Sequence, residues 1–350
     1  MGERFIVDGV CHPYNFSTQN QRGRFGKLFT DVMYSYYPLV NPPELAFDHE
    51  VWEREWGTEE FIDTMLLESE TDVCAVHTLP IYDAFEDGLT ATDKGAQLKA
   101  AYPDRVLWYC GLDMFSPESA LDEAREAIDA GADGLKFYPS RYVDGRTEAW
   151  GMDDEHRLFP ILQLAQGRSV QNIAVHKVLP IGPVSTLGMG VDDVSVAANV
   201  FPDLTFQVVH AGFMFVDETE FLLANHPNDY ATVEASALMA MINPREMMRL
   251  LGEFMGFGGV DKVIYASAAV NPHPQIVIDA LEAFEMPPES PLQLTDEVRD
   301  LFMGGNLARL HGIDPAAHRE RVTTDRIGTE RSEHGLRAPW STIKQLAGVA

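Results

Sequence analysis

A chain of 350 residues with 45% apolar side chains can bury one sizeable α/β core. With 26 basic and 54 acidic residues its formal charge is −28, which argues against nucleic acid or an anionic membrane surface as partner. No apolar run approaches the ~20 residues of a membrane span. The opening MGERFIVDGV has no basic region leading into an apolar stretch, and reads as a mature cytoplasmic start. Cys11, Cys74 and Cys110 all fall in strand-like runs and read as buried thiols rather than a disulfide framework or a zinc knuckle.

In chain order, apolar strand-like runs alternate with helical spacings. Arg4 to His12 reads as a first strand, and Pro13 to Glu55 as a long aromatic-rich connection broken by Asn41-Pro42-Pro43. Connections of that size usually cover or bind something. A helix is predicted from Thr58 to Glu68, a strand from Asp72 to Leu79, a helix over Thr92 to Tyr102 and a strand over Arg105 to Leu112. Ser116-Pro117-Glu118 carries the signals of a helix start, with Gly131 as its stop. The fourth strand, Asp133 to Tyr138, carries Lys136, and a helix follows from Glu155 to Gln166.

Ile173-Ala174-Val175 and Phe206-Gln207-Val208-Val209 are strands five and six, each ending in a histidine, His176 and His210. A Gly/Pro-rich turn and a helix from about Val191 to Val200 lie between them. A helix from Glu218 to Asn225 precedes strand seven, Tyr230 to Ala235, which carries Glu234. Asn243-Pro244 opens another helix. Lys262 to Ser267 is the eighth strand, followed by a helix over Gln275 to Phe284 and a further one over Asp296 to Leu310. Eight strand–helix units without a repeat predict a distorted (β/α)8 TIM barrel with a long first βα loop and a C-terminal helical extension. The barrel is expected over residues 1–318, with 319–350 a loosely folded tail or an oligomer contact in a homodimer.

Chemistry in such barrels gathers at the C-terminal strand ends. Residues two apart share a strand face, which groups Asp8, Val10 and His12. The other strand ends offer His77, Lys136, His176, His210, Glu234 and Ser267, with His273 just beyond. Imidazoles and a carboxylate at a barrel mouth suit a divalent ion such as zinc, which would activate water or polarise a carbonyl. Single strand-end residues also have plainer readings: Lys136 paired to a carboxylate, His77 structural, Glu234 a buried hydrogen-bonded carboxylate. His156, His226, His311, His318 and His334 fall on helices or helix ends and are expected at the surface.

The chain resembles the amidohydrolase superfamily, in the branch of aminocarboxymuconate-semialdehyde decarboxylase. The resemblance is carried by Ile6-Val7-Asp8 with His12, Gly134-Leu135-Lys136, Ala174-Val175-His176, Val208-Val209-His210-Ala211-Gly212 and Gly305-Asn306-Leu307-Ala308-Arg309-Leu310. It spans roughly residues 4–312. It implies one divalent metal ion, zinc or manganese, held by His12 and His176 with Asp8 beside them, and His210 as base or second ligand, with Glu234 and Lys136 as further catalytic candidates. It implies a hydrolase or decarboxylase acting on a small cyclic or aromatic carboxylic acid. The pattern departs from the family twice: Val10 stands where a first-strand histidine is usual, and Ala268 where a strand-eight aspartate is usual. Two alternatives stand beside the metal enzyme: a metal-free acid–base or Schiff-base enzyme using Lys136 or Lys177, and a non-catalytic ligand-binding descendant.

Overall fold

The computed structural model describes residues 4–348. Eight parallel strands follow one another around a barrel: β1 Val7–Cys11, β2 Val73–His77, β3 Val106–Leu112, β4 Gly134–Phe137, β5 Asn172–His176, β6 Thr205–Val209, β7 Asp229–Val233 and β8 Val263–Tyr265. A separate hairpin, Ser140–Val143 against Arg146–Ala149, is inserted after β4. The strand order matches the sequence reading throughout, and the chain is a (β/α)8 TIM barrel.

The barrel closes without a regular ladder between β8 and β1. The Ser267 N–H donates to Asp8 Oδ1 at 3.0 Å, and the His12 N–H donates to the Ala269 carbonyl at 2.7 Å. A Cβ on Gly9 would lie 2.8 Å from the Tyr265 carbonyl oxygen, so only glycine lets β1 approach β8 this closely.

Period-two alternation sorts the side chains into two layers. Leu135, Phe137, Ile173, Val175, Phe206, Val208 and Val233 face the surrounding helices. Val73, Ala75, Leu107, Tyr109, Ala174, Val209 and Ile264 fill the interior. Lys136, His176 and Glu234 each neighbour an outward residue and therefore fall on the inward phase. β1 breaks the rule: its register slips between Asp8 and Cys11, so that Val7 and Val10 both pack inside. The expected common face of Asp8, Val10 and His12 is lost to this bulge.

Helices follow the strands where spacing predicted them, including Thr58–Leu66, Thr92–Ala101, Pro117–Asp129, Asp192–Val200 and Pro274–Glu282. Ser116 does not cap its helix; its hydroxyl turns to Asp113. The long first connection is largely helical, with Gly23–Val40 and a short turn His49–Trp52. Its aromatics pack on one another: Phe16 stacks on Trp52 at 4.3 Å, and Tyr34 and Tyr37 lie 5.2 and 6.1 Å from the same ring.

The C-terminal residues are not loose. Pro315–Val322, Arg326–His334 and Ser341–Ala347 are helices, the first two capped by Asp314 and Asp325. Arg331 donates to the Leu66, Ser69 and Thr71 carbonyls at 2.6 Å each, and Trp340 is fully buried. The expected boundary after residue 318 falls inside the first of these helices. His318 is buried rather than exposed, because it sits under Phe5, and the His311 ring is bonded to Tyr109 Oη at 2.8 Å. The three cysteines are free and buried. Among the described residues no helix is long and apolar enough to cross a membrane.

Candidate active site

Four polar side chains, His12, Lys136, His176 and His210, share one cavity at the C-terminal end of the barrel. Its remaining walls are Tyr14, Phe29, Met33, Leu79, Ile81, Leu89, Tyr138 and Ile181. Phe29 and Met33 come from the helix Gly23–Val40, so the first long connection lies over the mouth. The enclosed space is only about 30 Å3. That holds about one water, whereas small-molecule sites occupy roughly 300–1,000 Å3.

His210 occupies an unusual backbone position. Val209 points into the barrel, so the next residue should point out; a φ of +67° at His210 turns its ring back over the mouth instead. A left-handed non-glycine residue costs roughly 1–3 kcal/mol and persists where neighbours hold it. The neighbours are on either side. His210 Nδ1 bonds Glu234 Oε2, and His210 Nε2 lies 2.8 Å from His176 Nδ1. His176 Nε2 lies 2.6 Å from the Leu179 carbonyl, and Tyr138 stacks on the His176 ring at 4.1 Å.

The donors and acceptors order this chain. The Leu179 carbonyl only accepts, so His176 Nε2 carries a proton and its Nδ1 accepts from His210. Glu234 then accepts from His210 Nδ1. Burial alone would push the Glu234 carboxyl up. The facing His210 ring and its hydrogen bond outweigh that, with help from His12 and the Ala235 N–H, and hold it below the usual carboxylate range. Burial, with the neighbouring His210 and Lys136, holds His176 well below the ordinary imidazole value. The three residues form a continuous path along which a proton can move between Glu234 and the cavity wall.

Lys136 enters from β4, two residues before Tyr138. It is 2% exposed and has no hydrogen bond or ion pair among the described residues. Burial lowers its ammonium to about 7, with the Glu234 charge opposing. The plainer reading, a lysine paired to a carboxylate, belongs to Lys177 instead, whose Nζ donates to Asp193 Oδ2 and the Gly188 carbonyl at 2.7 Å each. Lys177 is thus taken up by the fold and is not available for imine chemistry.

The expected metal ligands are not arranged as a metal site. Both ring nitrogens of His176 are bonded within the protein. Asp8 accepts from the Ser267 N–H and hydroxyl and from the Val10 N–H, and burial pushes its carboxyl up to about 7 against those bonds. His12 must donate from Nδ1 to the His77 carbonyl at 2.7 Å, which leaves one lone pair, on Nε2. Burial lowers the His12 imidazolium to about 4. Val10 and Ala268 supply no donor. Among the described residues, the single group of three or more acidic, histidine or cysteine ligand atoms within 4.8 Å of one another is Asp217, Glu220 and Glu253, outside this cavity. One free nitrogen does not hold a divalent ion, for which three or four ligands are the rule. The residues present do not fit the group.

His77 stacks on Tyr109 at 4.3 Å, is fully buried and does not line the cavity, in keeping with a structural role. His273 is bonded to Glu68 in a separate buried cluster. Tyr14, which stacks on His12 at 4.9 Å, and Tyr138 are the site residues that sequence reasoning passed over. Tyr138 had a signal, being in phase with Lys136 on the same strand.

The sequence model of the amidohydrolase family matches residues 81–313. No curated protein matches the chain. Among solved structures, an uncharacterised TIM-barrel protein from Bordetella bronchiseptica superposes with a TM-score of 0.62 at 15% identity, covering 88% of this chain and 98% of its own. The 5-carboxyvanillate decarboxylase of Novosphingobium aromaticivorans, with bound manganese, gives 0.56 at 14% identity, covering 89% and 98%. The 2,6-dihydroxybenzoate decarboxylase from Rhizobium gives 0.56 at 14%, covering 88% and 99%. At these identities the likeness is one of fold.

Proposed function

This chain belongs to the amidohydrolase family, and from that premise we propose that it is a decarboxylase of small cyclic or aromatic carboxylic acids that works without a resident metal. The observation that carries the reading is the bonded chain Glu234–His210–His176, set beside Lys136 in a cavity whose other walls are His12, two tyrosines and apolar side chains. Loss of CO2 leaves a carbanion that needs one proton, and His210 or His176 delivers it along the line from Glu234 once a bound substrate takes the place of the hydrogen bond between the two rings. Lys136 faces the bound acid as an unmatched amine. Two of the structural neighbours are decarboxylases of carboxylated phenols, which supports the same class. With the donor set described above, no step is assigned to zinc or manganese.

The test is CO2 release from a panel of hydroxybenzoates and 3-oxo acids, with and without a chelator. Activity that survives chelation and falls about 10²–10⁴-fold in Glu234→Gln and His210→Gln supports the proposal. Activity that appears only on adding zinc or manganese, or that is confined to amides and lactones, overturns it.

A further inference from the structure

The chain has seven lysines: Lys27, Lys94, Lys99, Lys136, Lys177, Lys262 and Lys344. Five have acceptors close by: Lys27 with Asp31, Lys94 with the Trp56 carbonyl and Glu55, Lys99 with Asp133, Lys177 with Asp193, and Lys262 with the Leu223 and His226 carbonyls. Lys344 is partly exposed to water. Lys136 alone is buried with no acceptor among the described residues.

An amine in that position costs stability unless something compensates, since a buried donor without an acceptor is unfavourable. A salt-bridging lysine would have been given a carboxylate, as Lys177 was. The barrel instead places the amine at the wall of a cavity, beside His12, His176 and His210 and below Tyr138. A nucleophilic amine needs this combination: a desolvated position in a largely apolar pocket, no competing ion pair, and an acid and base within the same cavity.

We propose that Lys136 forms an imine with its substrate, and that the substrate class is a small acid whose carbonyl lies β to the carboxylate. This rests on the decarboxylase reading and deepens it by naming the electron sink. Lys136 Nζ attacks the carbonyl carbon, and the proton it loses passes to the His176–His210 pair. The former carbonyl oxygen leaves as water, taking that proton and a second one drawn from solvent through the same pair, and a protonated imine remains; its later hydrolysis returns one proton to the pair. The bond to the carboxylate breaks, its electron pair moves into the iminium to give an enamine, and CO2 leaves. The acid pair protonates the enamine carbon, and water hydrolyses the new imine to free Lys136 and release the ketone. One water is released and one consumed; nothing is oxidised or reduced. The keto tautomer of a 2-hydroxy aromatic acid presents the same β relation, so the aromatic acids above fall within this class.

The experiment uses the whole protein with acetoacetate as probe and cyanoborohydride as trap. Intact mass and peptide mapping read the adduct, and CO2 release is followed in parallel. The expected result is one reduced adduct per chain, on Lys136 in preference to the other six lysines, lost in Lys136→Arg and in Lys136→Met. Both variants are first shown to unfold cooperatively, so that loss of label is not loss of fold. Label spread over the surface lysines, or label on Lys136 no greater than on Lys344, overturns the proposal. CO2 release without any trapped adduct also overturns it while leaving the acid–base reading standing. An adduct on Lys136 without CO2 release supports the imine and overturns the decarboxylase reading.

Discussion

Replacing Lys136 with methionine should make the protein more stable, the reverse of what deleting a buried charge usually does. Methionine has a similar length and carries no amine, so the cavity wall is kept while the unmet donor is removed. Burial moves the Lys136 ammonium from 10.5 to about 7, and each unit of such a shift is about 1.4 kcal/mol. The ceiling on the gain is therefore roughly 4–5 kcal/mol, and after relaxation of the surroundings roughly 1–4 kcal/mol is expected at neutral pH. The sign with pH is fixed. The unfolded chain binds the lysine proton up to about 10.5 while the folded chain releases it near 7, so wild-type stability from this group rises across that window. The penalty is complete below pH 7 and fades towards 10.5, and the gap between wild type and Lys136→Met should shrink in step. Urea unfolding of both proteins across that range measures it. A variant that is no more stable than wild type at pH 7, or a gap that does not change with pH, refutes the account of Lys136 as an unmatched amine.

Glu68 should show the opposite behaviour. Its carboxylate accepts from the Trp340 N–H at 2.7 Å, the Thr342 N–H at 2.6 Å, the Ser341 hydroxyl at 3.0 Å and His273 Nε2 at 3.1 Å, tying down the start of the helix Ser341–Ala347. Glu68→Gln puts an N–H₂ against at least one of those donors and should cost about 2–4 kcal/mol in chemical unfolding; a cost below about 0.5 kcal/mol would count against the anchor. Burial would raise this carboxyl, but its bonds to His273 and Thr342 prevail and hold it below 4.5, so its contribution is present above that value and lost as pH falls through the lowered one. Gly9→Ala should lower stability by about 1–3 kcal/mol, because the new Cβ meets backbone at 2.8 Å from Tyr265 and a side-chain methyl at 2.9 Å from Ile264; a neutral effect in thermal unfolding would show that β1 and β8 can move apart freely.

The barrel was legible because its strands repeat one pattern: a short apolar run, a polar residue at the end, a helix after it. Lys136, His176 and Glu234 were legible for the same reason, since period two fixes their side. His210 was placed correctly in sequence but for a reason that alternation does not contain, a backbone turn to positive φ. Asp8 was grouped with Val10 because a bulge leaves no trace in composition, and its carboxylate is used up by Ser267. The helix Gly23–Val40 was read as irregular because Pro38 and a run of aromatics mask its spacing. The C-terminal helices are polar on most sides and bury little besides Val322, Ile327 and Ile343, so hydrophobic periodicity could not find them, although Asp314-Pro315 and Asp325 are ordinary helix starts.

The contact between Asp8 and Ser267 joins residues 259 apart in the chain. At a synthesis rate of about 5–20 residues per second, β1 leaves the ribosome roughly 10–50 s before the strand that closes on it. Throughout that interval Ile6, Val7, Val10 and Cys11, apolar on both faces, sit on a strand with one unpaired edge. Ring closure of this kind is a late, long-range event that local helix formation cannot hasten. The growing chain is therefore most exposed to aggregation before β8 appears, and a chaperone that shields its first strand would act there. Refolding from denaturant should likewise be limited by this one junction rather than by any of the seven strand pairings before it.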